Sequence, residues 1–85
     1  MQKIVIYTAP RCPYCHMAKD LLASKGAAFH EIDVSEQAGL RDEMRVKAGG
    51  RSTVPQIWVG ERHVGGYSDL YTLEKAGGLD PLLAA

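Results

Sequence analysis

The sequence predicts an α/β domain in which one mixed four-stranded sheet carries helices on both faces. Three observations predict it. Hydrophobic periodicity switches between two and 3.6 residues in the order β-α-β-α-β-β-α within only 85 residues. The first strand, Ile4-Val5-Ile6-Tyr7, is a continuous apolar run, which suits a strand buried on both faces. A short hairpin, residues 54–59 and 62–64 about Gly60-Glu61, then closes the pattern where another βα unit would otherwise follow.

Each element has its own signals. Residues 1–7 read as a strand, broken by Thr8-Ala9-Pro10-Arg11. From Cys12 onwards Met17, Ala18, Leu21 and Leu22 recur at helical spacing, and Gly26 stands where a C-terminal cap belongs. Pro13 suits the first helical position, because its missing N–H would have no partner there anyway. Residues 28–34 alternate about Phe29 and Ile32 as a second strand. Ser35 can cap a helix running to about Ala48, with Leu40, Met44 and Ala48 on its apolar side and Gly49-Gly50 ending it. Gly39 inside that helix costs roughly 1 kcal/mol against Ala. After the hairpin, Gly65-Gly66 leads into a last helix with Ser68 as its cap and Leu70, Tyr71 and Leu73 as its apolar face, closed by Gly77-Gly78. Residues 79–85 are expected to pack back through Leu79, Leu82 and Leu83. A βαβ crossover makes the first two strands parallel, so the hairpin must supply the antiparallel ones. That arrangement is thioredoxin-like, and residues 1–85 read as a single domain without repeat or linker.

Composition narrows the function. Ten Lys+Arg against ten Asp+Glu give zero net charge, and without a basic run the chain lacks the electrostatic footprint of a nucleic-acid or anionic-membrane binder. No apolar stretch approaches the ~18 residues of a membrane span. The first strand begins too early to leave room for a signal peptide, so a cytoplasmic location is expected. Cys12 and Cys15 enclose too short a loop to stabilise the fold through loop entropy. In a reducing compartment such a pair is more often catalytic or metal-binding than structural.

Cys12-Pro13-Tyr14-Cys15 opens the first helix directly after the first strand. Cys12 therefore meets unpaired backbone N–H groups and the positive end of the helix dipole, with Arg11 beside it and Lys19 about two turns on. Thiols so placed have pKa values of ~3.5–7.5 against ~8.5 for a free cysteine. A pKa near 5 raises the thiolate fraction at pH 7 from roughly 3% to about 99%, a gain of ~30-fold. Nucleophilicity falls by about the same factor, with a Brønsted slope of ~0.4–0.5. Attack gains little. The benefit lies in departure: a mixed disulfide on Cys12 is readily released when another thiol attacks its partner sulfur. Cys15, on the buried side of the helix, is the expected resolving thiol. A zinc site needs more ligands than two, and His16, His30 and His63 lack compact spacing, so no metal is expected. Cys-Pro-Tyr-Cys-His also matches the formal haem-attachment pattern, but that chemistry belongs to exported proteins. The pair reads as the centre of a thiol–disulfide oxidoreductase.

Two further segments can build a substrate groove. Pro55 in Thr53-Val54-Pro55 is either a strand-initiating proline in trans, or it leaves Val54 free to offer its N–H and C=O to an extended peptide. Gly65-Gly66-Tyr67-Ser68-Asp69 is either a capped loop or a place where main-chain N–H groups meet a ligand carboxylate while Asp69 accepts from its ammonium. Spacing leaves both choices open.

Taken together, Cys-Pro-Tyr-Cys at 12–15, Thr-Val-Pro at 53–55 and Gly-Gly-x-Ser-Asp at 65–69 resemble the three signatures of the glutaredoxin family. The likeness runs over nearly the whole chain, including Gly77-Gly78-Leu79-Asp80-Pro81, and is greatest to the short bacterial dithiol type. The resemblance implies glutathione as co-substrate, Cys12 attacking glutathionylated disulfides and Cys15 resolving protein disulfides. It further implies a cis Pro55, with Val54 pairing with the cysteinyl backbone of glutathione. Gly66, Ser68 and Asp69 would hold its γ-glutamyl end and Arg51 its glycine carboxylate, Tyr14 would flank the sulfur, and Thr53 is counted among the glutathione-binding residues. Many members carry a Lys three residues before the first cysteine; here Ala9 stands there, and Arg11 is the nearest replacement charge. The partners implied are glutathionylated proteins and disulfide-containing reductases, acted on by a monomer. The alternative the family offers is an iron–sulfur carrier dimer ligated through Cys12 and glutathione, which a stiffening Pro13 is expected to disfavour.

Overall fold

The computed structural model describes residues 2–85. Its elements are β1 (Ile4–Thr8), α1 (Pro13–Ser24), β2 (His30–Asp33), α2 (Leu40–Lys47), β3 (Gln56–Val59), β4 (Arg62–Gly65), α3 (Tyr67–Lys75) and α4 (Leu79–Ala84). The sheet runs β2-β1-β3-β4. β1 pairs in parallel with β2 and antiparallel with β3, and β3 pairs antiparallel with β4. The expected mixed four-stranded sheet is present, with the tail folded into a helix of its own.

Strand periodicity sends alternate side chains of β1 and β3 into two cores. Ile4, Ile6, Ile57 and Val59 point to one face, where Ala18 and Leu22 of α1, Leu70 of α3, and Leu79 and Leu83 of α4 cover them. Tyr7 and Trp58 point to the other, against Val34, Met44 and Ala48. There the Tyr7 and Trp58 rings meet edge to face at 5.4 Å. The Lys47 ammonium sits 4.9 Å from the Trp58 ring centre. Lys25, just past α1, binds Glu74 of α3 at 2.6 Å and Asp80 of α4 at 3.0 Å, tying the three helices on that face.

Several boundaries differ from expectation for local reasons. Helix α2 begins at Leu40, not at Ser35. The Asp33 carboxylate accepts from both the Ser35 N–H (2.8 Å) and its hydroxyl (2.7 Å), an Asx-type turn that competes with a helix start. Gly39 lies at φ 93° and caps the helix instead of sitting inside it. Helix α3 starts at Tyr67 with Gly66 as its cap. Ser68 is therefore inside the first turn, and Asp69 does the capping by accepting the Gly66 N–H at 2.9 Å. Met17 and Tyr71, expected on apolar faces, are 44% and 46% exposed. The buried stripe of α1 is Cys15, Ala18 and Leu22, and Met17 falls beside it.

Leu22 is fully buried between sheet and helices. Leu22→Ala should cost about 2–5 kcal/mol in urea unfolding, while Met17→Ala stays within roughly 0.5 kcal/mol of the parent. Equal losses at the two positions would contradict the division of α1 into buried and open faces.

Candidate active site

Strand β1 delivers the chain to the start of α1 through a tight corner. Arg11 holds φ 57°, a left-handed conformation uncommon outside glycine. It turns the backbone so that Cys12, at φ −110° and ψ 98°, caps the helix and Pro13 takes the first helical position. The Cys12 sulfur accepts the Cys15 N–H at 3.2 Å and lies 3.7 Å from the Val54 carbonyl oxygen. The two cysteines are joined as a disulfide. Cys12 is half-buried, whereas Cys15 is only 2% exposed. Of the two disulfide sulfurs, the one on Cys12 is therefore nearer to solvent and the one on Cys15 lies behind it.

Beside this pair lies a cleft of about 440 Å3, whose wall comes from three segments far apart in sequence. Tyr14 comes from α1, Arg51, Thr53, Val54 and Pro55 from the approach to β3, and Gly66, Tyr67 and Ser68 from the start of α3. The Val54–Pro55 peptide bond is cis, so the reading of a trans proline is set aside. Asp69 stands behind the wall: its carboxylate accepts the Gly66 N–H and pairs with the Arg51 guanidinium at 3.1 Å. These contacts, the Gly66 N–H first and Arg51 after it, hold the Asp69 carboxyl below the usual carboxylate range. Gly65, at φ 116°, leaves room for the pair, since a Cβ there would run into the Asp69 carboxylate and lie 2.8 Å from Arg51 Nη1.

Two expected charges behave differently. Lys19 is taken up by Glu31 at 3.1 Å, and Glu31 also accepts from the buried Thr8 hydroxyl at 2.7 Å, so this ammonium anchors α1 to β2 and does not serve the thiol. Arg11 is exposed and is not part of the cleft wall. Conversely, Tyr67, which no motif singles out, also lines the cleft, and its ring stacks on that of Tyr14 at 6.1 Å. The unspecified position in Gly-Gly-x-Ser-Asp was its only signal. A hollow of about 480 Å3 along the β2 edge, lined by His30, Glu31, Asp33 and Glu36 among others, contains no thiol. Among the described residues no group of three or more His, Cys, Asp or Glu is placed to hold a metal ion, and no helix is long and apolar enough to cross a membrane.

A redox-active pair at a helix start, a cis proline across from it and a peptide-sized cleft form one unit. Residues 4–64 match the family model described as Glutaredoxin. The chain belongs to the glutaredoxin family. It is similar to Glutaredoxin 3 of Escherichia coli K12, 53% identical over 83 residues that cover 98% of this chain and 99% of the relative. It is 55% identical over 85 residues to a glutaredoxin of Pseudomonas aeruginosa, covering the whole of both chains. The solution structure of a glutaredoxin from Brucella melitensis, 57% identical, superposes with a TM-score of 0.86 over 98% of this chain and 89% of that one. The fold is thioredoxin-like and the activity that of a thiol–disulfide oxidoreductase.

The depressed Asp69 pKa makes its charge a pH-dependent contribution to this glutaredoxin. A lowered folded-state pKa adds stability above the unfolded value of ~3.9, and that stability is lost as pH falls through the folded value. Urea midpoints of the parent and of Asp69→Asn should differ at neutral pH and converge below about pH 4. A gap that stays constant with pH would show that the Asp69 charge adds nothing.

Proposed function

We propose that this glutaredoxin uses glutathione to reduce protein–glutathione mixed disulfides and protein disulfides, with Cys12 as nucleophile and Cys15 as resolving thiol. The observation that carries the reading is the Cys12 sulfur, held by a helix N–H at 3.2 Å and opening beside a cleft lined by Arg51, whose ion-pair partner Asp69 stands just behind the wall. In the reduced enzyme the Cys12 thiolate attacks the glutathione sulfur of a mixed disulfide. The S–S bond breaks, the protein leaves as a thiolate that takes up a proton, and glutathione remains on Cys12. A second glutathione thiolate attacks its sulfur, giving glutathione disulfide and regenerating Cys12. With a protein disulfide, Cys12 forms the mixed disulfide and Cys15 breaks it. That step releases a dithiol and leaves the Cys12–Cys15 disulfide, which two glutathiones reduce.

The cleft suits the tripeptide by charge and by backbone. Glutathione carries two carboxylates and one ammonium. Its arrival exchanges the single Arg51–Asp69 pair for two: Arg51 with the glycine carboxylate and Asp69 with the γ-glutamyl ammonium. The Gly66 and Ser68 end of the wall opens the α3 N-terminus to the γ-glutamyl carboxylate. Val54 presents main-chain groups to the cysteinyl backbone, beside the sulfur it serves. Tyr14 and Tyr67 flank the cleft, Thr53 lines its wall, and Arg11 adds positive charge near Cys12 where the family Lys is replaced by Ala9. A monomer working in a reducing cytoplasm, where glutathione is abundant, completes the reading.

Serine variants separate the two sulfur roles. With a glutathionylated peptide as substrate, Cys15→Ser should keep most of the turnover, whereas Cys12→Ser should lower it by at least roughly 100-fold. Glutathione disulfide formation coupled to NADPH consumption measures both. Equal activity of the two variants would remove the assignment.

A further inference from the structure

The wall residue Thr53 is tied to a polar pair, the buried Gln56 and the half-buried His63, that thiol chemistry does not use. Gln56, the first residue of β3, is fully buried, yet both ends of its carboxamide are engaged. Its Oε1 lies 2.7 Å from His63 Nε2, and its Nε2 donates to Thr53 Oγ1 at 3.3 Å. His63 sits opposite Trp58 in the β3–β4 register and stacks on it at 4.5 Å, with the ring planes 21° apart, so its orientation is fixed. A carboxamide in the sheet interior is costly unless both ends are paired, and here it is satisfied only in combination with these two neighbours.

The donor and acceptor inventory gives this chain a direction. A carboxamide oxygen only accepts, so His63 Nε2 must carry a proton and donate. A carboxamide NH2 only donates, so Thr53 Oγ1 must accept. The Thr53 hydroxyl proton is then excluded from the Gln56 side, and Thr53 lines the cleft. Burial, followed by the Arg51 charge, disfavours the imidazolium, with Asp69 opposing; the neutral ring satisfies the chain as the Nε2–H tautomer with Nδ1 bare.

We propose that His63 and Gln56 form a directional hydrogen-bond relay that turns the Thr53 hydroxyl into a donor toward a carbonyl or carboxylate oxygen of the cleft ligand. Thr53 touches the ligand; Gln56 and His63 are positioning residues acting through it. The ligand assignment rests on the glutathione reading above, whereas the direction of the relay does not.

Two measurements test it. In nitrogen-15 spectra of histidine-labelled protein at about pH 8, above the ordinary histidine range, His63 should be protonated at Nε2 and bare at Nδ1. The opposite tautomer would overturn the relay. In steady-state assays with a glutathionylated peptide, Thr53→Val should raise KM about 3–10-fold with kcat nearly unchanged, and Thr53→Ser should restore it. Gln56→Met and His63→Phe, the latter keeping an aromatic ring on Trp58, should raise KM in the same direction. Combined with Thr53→Val, neither should add further, because the group they act through is gone. An unchanged KM in Thr53→Val, or effects that multiply in the double variants, would refute the relay. A parent protein that does not turn over the glutathionylated peptide would refute the glutathione reading instead, and the tautomer alone would then decide the relay.

Discussion

Backbone N–H groups in the first turn of a helix have no partners within it, and in this protein the Cys15 N–H meets the Cys12 sulfur at 3.2 Å. A negative sulfur is favoured at that point, both by the donor and by the positive end of α1. The surrounding fold serves to keep the sulfur there. The fully buried Ile6 and the Tyr7 ring lock β1 between two cores, Arg11 makes the corner, and Ala18 and Leu22 hold α1 down on the sheet. A loosened core would move the amides relative to the sulfur, and with them the preference for its charged form.

The second constraint is that the cleft is assembled from parts that never meet in sequence. The segment before β3 brings Arg51 to Pro55, and the start of α3 brings Gly66 to Ser68. The Arg51–Asp69 ion pair joins the two, with Gly65 leaving space for it. Both charges are about half exposed, so the pair contributes modestly to stability. Its greater consequence is chemical. Arg51 lines the peptide-sized cleft while its partner Asp69 stands behind the wall, so the pair sets the charge on this part of the cleft.

Much of this was legible in the residues, and the misses share a cause. The order of elements, the parallel β1–β2 pair and the N-terminal placement of Cys12 follow from periodicity and from Pro13, signals that act within a few residues. The misplaced starts of α2 and α3 came from side chains competing for backbone groups: Asp33 holding Ser35, and Asp69 capping Gly66 in place of Ser68. Ser, Thr, Asp and Asn are alike enough in capping strength that sequence does not rank them. Lys19 is drawn away from Cys12 by Glu31, a partner on another element that local spacing does not reveal. Tyr67 and the Gln56–His63 pair were not foreseen for the same reason, since each acts through a contact across elements. Motif residues were thus readable where the chemistry demands a residue type, and unreadable where tertiary contact assigns the role.

Once the disulfide is reduced, the start of α1 is expected to keep the Cys12 sulfur ionised at neutral pH. The direct measurement is the rate of iodoacetamide alkylation of the reduced protein against pH, with the modified cysteine identified by mass. Alkylation confined to Cys12, with a midpoint inside the ~3.5–7.5 range of activated thiols, is the expected result. A midpoint near the ~8.5 of an ordinary cysteine, or equal labelling of Cys12 and Cys15, would contradict it.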